Sequence, residues 1–193
     1  MKINTENFKL LTLLVLGGVL LSGCVGQEGA EEPQPPEPEL TKDFLTYENP
    51  THGIRIKYPK DWTMQEGFMG TVVVFLSPKA DASDVFQENL NVGVEDLSGV
   101  SITLDEYTEL TIDQMGQFIT DFTVIESGKT TLAGNPAYKI VYTGSQAQYS
   151  IKWMQIWAIK DDKAYLITYT AETDSFSDFL EIVEAMISSF EFM

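Results

Sequence analysis

The chain has 193 residues, 44% hydrophobic and 21% charged, which is the composition of one globular domain with its own core and gives no reason for two. A formal charge of −17 disfavours nucleic acid binding and a basic membrane-binding face, since phosphate backbones and anionic headgroups repel such a body. The single cysteine, Cys24, excludes a disulfide within the chain.

Lys2 and Lys9 precede an apolar run over 10–20, the positive start and hydrophobic stretch of a secretory signal. The run is too short for a spanning helix, which needs about 20 apolar residues. Leu21, Ser22, Gly23 and Cys24 follow in the order of a lipoprotein signal. Cleavage before Cys24 is expected, with a lipid thioether on its sulfur, which makes 1–23 a lipoprotein signal peptide and Cys24 the lipid attachment site. Residues 24–43 carry repeated proline and glutamate with almost nothing to bury. Proline favours extended polyproline conformation at about 3.1 Å per residue, and the glutamates repel one another, so the segment reads as an acidic tether that holds a domain off a surface.

The globular domain is expected over 44–193. Ile54, Ile56 and Tyr58 alternate with Arg55 and Lys57, a strand with one buried face, and Tyr58 to Trp62 turns the chain. Val72, Val73, Val74 and Phe75 form a compact run that predicts a strand covered on both faces. Lys79 to Glu88 is polar and reads as a loop, and Leu90 to Leu97 alternates again. Thr103 with Glu106 forms a capping box, and Ile102 and Tyr107 stand where a hydrophobic staple would close over it. A helix over 104–119 is predicted, with Leu104, Tyr107, Thr111, Met115 and Phe118 on its buried face.

Short strands over 122–127 and 129–132 are predicted to meet at Gly128, and Gly134, Asn135 and Pro136 to form a turn into a strand over 137–143. Strands over 151–160 and 163–171 form a hairpin through Asp161 and Asp162. Ile151, Trp153, Trp157 and Ile159 fall on one face of the first, and Met154, Ile156 and Ala158 on the other, so both faces read as buried. Phe176, Phe179, Leu180, Val183, Ile187 and Phe190 predict a closing amphipathic helix with Asp174 and Ser175 as caps. Together these predict an α+β fold, an α/β/α sandwich with a central antiparallel sheet flanked by helices.

Several phrases resemble the PsbP family, the extrinsic lumenal subunit of photosystem II and its wider lipoprotein relatives. Tyr58, Pro59, Lys60, Asp61 and Trp62 resemble its tyrosine-proline-x-x-tryptophan signature, 132–138 its turn into a long strand, and Ser188, Ser189 and Phe190 its carboxy-terminal close. The likeness spans about 44–193 and implies the same sandwich, used by most relatives as a binding or assembly module and not as a catalyst. The photosystem subunit's metal and docking residues have no counterpart here, where His52 is the one histidine.

The chemistry of the side chains points the same way. His52 lies in a turn composition, Asn49 to Gly53, and reads as a loop residue. With no second histidine and the one thiol lipidated, Cys/His catalysis and His or Cys zinc sites are not expected. Gly67 to Gly70 lacks the spacing and the lysine of a phosphate loop. Asp81 with Asp84, and Asp161 with Asp162, are acid pairs without EF-hand spacing and read as solvated loops. Trp62, Trp153, Trp157, Tyr165 and Tyr169 read as core and not as a ligand groove. No catalytic, cofactor or metal residue is assigned. The expectation is a non-enzymatic, monomeric, extracytoplasmic module, bound to the cell membrane by its lipid and partnered by an envelope or membrane protein. Two alternatives stay open: a carboxylate-dependent hydrolase of cell-envelope polymers, and a calcium-responsive module.

Overall fold

The structure is a computed structural model and describes residues 41–79, 81 and 84–193. The expected signal peptide, Cys24 and most of the tether lie outside the described residues. Among the described residues, ten strands and two α-helices follow in order: β1 (Phe44–Asn49), β2 (Ile54–Pro59), β3 (Thr63–Glu66), β4 (Val73–Leu76), β5 (Asn89–Asp96), α1 (Leu104–Phe118), β6 (Thr120–Leu132), β7 (Asn135–Gln146), β8 (Tyr149–Lys160), β9 (Lys163–Glu172), α2 (Leu180–Ser188) and β10 (Glu191–Phe192). Seven strands make one antiparallel sheet in the order β3-β4-β5-β9-β8-β7-β6. A second sheet, β1-β2-β10, is smaller. The α+β sandwich expected from the sequence is the fold of this chain, with the small sheet as an addition beside α2.

The period-two pattern of the long strands explains the layers. In β8, Ile151, Trp153 and Trp157 enter one core with Tyr107 and Met115 of α1, while Met154, Ile156 and Ala158 enter the other with Val183 and Met186 of α2. Side chains alternate across a strand, so a strand apolar at both parities must be covered on both sides. The second core also takes Ile54 and Ile56 of β2, which is how the small sheet attaches. The β8–β9 hairpin turns through Asp161 and Asp162, at φ 50° and 56°, the two left-handed residues of a tight hairpin turn.

The capping box of α1 is formed. Thr103 Oγ1 accepts from Glu106 N at 3.2 Å, and Glu106 Oε2 accepts from Thr103 N at 2.9 Å. The buried face differs from expectation at its last turn: Phe118 is 75% exposed, and Thr108 is buried. The chain leaves the helix at Ile119, whose extended backbone turns that side chain inward in place of Phe118.

Three further expectations are corrected. Gly128 does not divide two strands, because β6 pairs with β7 in register from Glu126↔Val141 to Leu132↔Asn135, and the ladder carries the glycine through. The turn after β6 is Ala133–Gly134, at φ 45° and 75°, so Asn135 and Pro136 already belong to β7. The final helix is shorter than its apolar period: 173–179 is a series of turns, the N-cap is Phe179 without a side-chain cap, and Ser175 Oγ donates to Glu88 Oε1 and to Glu172 O instead of capping. Phe176 keeps its place in the core from the turn segment.

Candidate functional site

The face of the large sheet that meets α1 contains a polar row among aromatic ones. On β5, Asn89, Asn91, Gly93 and Glu95 share this face by parity, while Leu90, Val92 and Val94 take the other. Asn91 pairs with Thr168 of β9, and Thr168 with Gln155 of β8, so the three side chains stand next to one another across three strands. Trp153 and Trp157 flank Gln155 on its own strand, and Trp157 Nε1 donates to Thr108 Oγ1 of α1 at 2.9 Å.

These groups are buried and incompletely paired. Asn91 and Gln155 are each 4% exposed. Gln155 Nε2 donates to Thr168 Oγ1 at 3.0 Å, which leaves Gln155 Oε1 without a partner, and Asn91 Nδ2 is likewise unpartnered. A buried polar atom left unpaired costs about 1–3 kcal/mol, so each is a cost the fold carries. Both residues line a small cleft of about 20 Å3, room for about one water, together with Thr71, Gly93, Glu95 and Thr168. The room comes from Gly93: a Cβ there would meet nothing within 4 Å, and its φ is not one that demands glycine. A glycine in a strand with neither reason marks a place where another group can approach the backbone. A third unpaired atom, Asn89 Oδ1, lies two residues back on β5 and does not line this cleft.

Glu95 closes one end. Its Oε2 accepts from Tyr107 OH of α1 at 2.9 Å. Burial raises the Glu95 carboxyl above its ordinary range, and the tyrosine hydrogen bond offsets only part of that. Burial, and then the neighbouring carboxylate, push the Tyr107 hydroxyl up strongly. Because the folded pKa of Glu95 is raised, the folded state holds this proton to higher pH than the unfolded chain does. The corresponding stability is fully present below the unfolded pKa and is lost as pH rises through the folded one. Glu95→Gln should therefore be more stable than wild type at pH 7, and the difference should vanish as pH falls below the ordinary carboxylate range; thermal melts of both proteins from pH 3 to 8 check this. A gap that widens on acidification would contradict the assignment.

The cleft holds one carboxylate. Glu88, more deeply buried than Glu95, precedes the opposite end of β5 and accepts from Ser77 Oγ at 3.2 Å and from Ser175 Oγ. Among the described residues, no two acids face one another across the cleft as a carboxylate-pair hydrolase requires. Asp84 Oδ1 accepts from the amide of Phe86, and Asp161 pairs with Lys160 at 2.9 Å, so both acid pairs lie in loops with local partners. Among the described residues, no group of three or more His, Cys, Asp or Glu is arranged to hold a metal ion. His52 sits in the turn before β2, its amide bonded to Asn49 Oδ1, and its carbonyl receives Tyr165 OH on the side of the sheet away from the cleft. Trp62, Trp153, Trp157, Tyr165 and Tyr169 are all core residues.

Apart from Gln155, none of the cleft residues is singled out by sequence pattern. Asn91, Gly93 and Glu95 occupy the alternate positions of an amphipathic strand and look like a solvent face. The one legible signal was Gln155, a carboxamide between two tryptophans of the same parity in a strand that is otherwise apolar on both sides.

The family described as PsbP-like protein matches residues 31–192 of this chain. No curated protein matches it. Among solved structures, CyanoP, the cyanobacterial PsbP of Synechocystis sp. PCC 6803, superimposes with a TM-score of 0.59 at 16% identity, covering 78% of this chain and 93% of that one. PA94 of Pseudomonas aeruginosa, a protein of unknown function, gives 0.55 at 11% identity over 76% of this chain and 94% of its own. LpqN of Mycobacterium tuberculosis, involved in cell envelope biogenesis, gives 0.51 at 14% identity over 72% and 82%. At these identities the likeness speaks to the fold.

Proposed function

The chain belongs to the PsbP-like family, and from that membership we propose that it is a lipid-anchored, non-catalytic binding or assembly module on the outer side of the cell membrane. The observation that carries this reading is Leu21, Ser22, Gly23 and Cys24 standing between an apolar run and an acidic, proline-rich segment. In this reading 1–23 is removed, Cys24 bears the lipid, 24–43 is the tether and 44–193 works at a distance from the bilayer. Its acidic surface keeps the module from lying down on anionic headgroups, so contact is through the anchor. The cleft supports a non-catalytic role, because it offers carboxamides, hydroxyls and one carboxylate but no nucleophile beside a base. The partner is an envelope or membrane protein, a role in keeping with a structural neighbour, LpqN, that is involved in cell envelope biogenesis.

Metabolic labelling with radioactive lipid tests the anchor. Wild type should carry label and fractionate with membranes, and Cys24→Ser should lose the label and appear in the soluble fraction. Label that persists on the serine variant would refute anchoring through Cys24. Crosslinking on intact membranes, followed by identification of what is captured with the wild type and lost with the released variant, addresses the partner.

A further inference from the structure

We propose that the cleft beside Gly93 is the site of a single ordered water, which accepts from Asn91 Nδ2, donates to Gln155 Oε1 and so fastens β5 to β8 over the intervening β9. Size sets the first limit. The cleft measures about 20 Å3, above the roughly 10–15 Å3 that one water needs and too small for a larger ligand. Chemistry sets the second. Asn91 Nδ2 is a donor and Gln155 Oε1 an acceptor; both belong to side chains more than nine-tenths buried, and neither meets a partner among the protein's own groups. The occupant must therefore accept on one side and donate on the other. A metal cation or an ammonium ion cannot accept from Asn91, and a halide cannot donate to Gln155, whereas water does both. Placement supplies the third. Asn91, Thr168 and Gln155 are register neighbours on β5, β9 and β8, and Thr168 Oγ1 accepts from Gln155 Nε2 at 3.0 Å, which holds the carboxamide with its oxygen left for the water. Thr71, Thr168 and Glu95 line the same opening and offer oxygens for the second proton of the water, in keeping with the three or so bonds that buried waters make. A bridging water is nearly as good as a direct hydrogen bond, so one molecule relieves both buried atoms. It also sits beside the joint with α1, because Trp157, two residues along β8 from Gln155, carries the bond to Thr108.

The site is independent of the anchoring role, and makes the cleft an internal support of the sheet. Rotating-frame Overhauser spectra of the full-length, 15N-labelled chain in detergent test it. The Asn91 side-chain amide protons should show a cross-peak at the water frequency with sign opposite to the diagonal, the mark of a bound water, which proton exchange with bulk solvent does not give. Gln155→Met keeps the length of the side chain but removes the acceptor, and should abolish that cross-peak although Asn91 is intact. Asn91→Leu provides a second reading that does not depend on the first variant folding. An amide bridged by water contributes to stability, so this variant should melt about 2–8 °C lower than wild type, whereas replacing an unpaired buried amide should raise the melting temperature. The proposal is overturned by exchange alone, or no cross-peak, at Asn91 in wild type. A cross-peak unchanged in folded Gln155→Met, or a melting temperature raised in Asn91→Leu, overturns it equally.

Discussion

Trp157→Ala is expected to lower the unfolding free energy by about 3–5 kcal/mol, the range for removing a large buried aromatic side chain. Trp157 is fully buried between the sheet and α1, stacks with Tyr138 at a centroid distance of 5.4 Å, and is the residue through which Thr108 ties the helix to the sheet. Alanine leaves a cavity at that joint and strands the threonine hydroxyl. Domains of this size have about 5–15 kcal/mol in total, so the variant should unfold at a much lower urea midpoint. Trp157→Phe separates the two contributions: it keeps most of the ring volume but removes the indole donor, and a loss of about 1–3 kcal/mol is expected from the unpaired Thr108 oxygen. Urea denaturation followed by far-ultraviolet circular dichroism measures both. An alanine variant within 1 kcal/mol of wild type would mean that α1 does not pack on β8 as described.

Gly144→Ala is the second large effect. A Cβ at Gly144 would lie 2.4 Å from Ile119 Cγ2, 2.9 Å from the Thr120 carbonyl oxygen and 3.3 Å from Trp153 Cζ3. The carbonyl is backbone at the point where α1 passes into β6, so it cannot rotate away as a flexible side chain would. Overpacking of this kind costs about 1–3 kcal/mol, and the α1–β6 junction should be where the structure gives. Gly93→Ala is the internal comparison, since both glycines lie in strands and neither has a left-handed φ. With open space around it, Gly93→Ala should hold stability or raise it by about 0.4–1 kcal/mol through the unfolded chain. Two strand glycines with opposite signs of effect would show that the first is kept for packing and that the second serves no structural need.

Where the sequence was readable, the deciding interactions were local. The Thr103–Glu106 box, the two-aspartate hairpin and the double-faced pattern of β8 involve residues a few positions apart, and each appears as read. The PsbP-like phrases were readable for the same reason, being short and contiguous. The misses share the opposite property. β3 (Thr63–Glu66) is exposed along its whole length, and only its ladder with β4 makes it a strand. β1 has one buried residue, Tyr47, and no clean alternation. β10 is two residues long and exists because Glu191 and Phe192 come to lie against Arg55 and Ile54, and Arg55 pairs there with Glu191 at 3.2 Å. Helical period alone predicts a buried Phe118, but α1 ends at that residue and Ile119 takes the inward position.

The fold class, the capped helix and the central hairpin were therefore determined by the chain's own pattern, because burial periodicity, capping and turn chemistry act over a few residues. The cleft was decided by tertiary structure. Asn91, Thr168 and Gln155 reach one row only when β5, β9 and β8 pair in that order and register. A polar residue at an alternate strand position reads as solvated until its neighbours are known, and whether it ends buried and unpaired depends on strands far away along the chain.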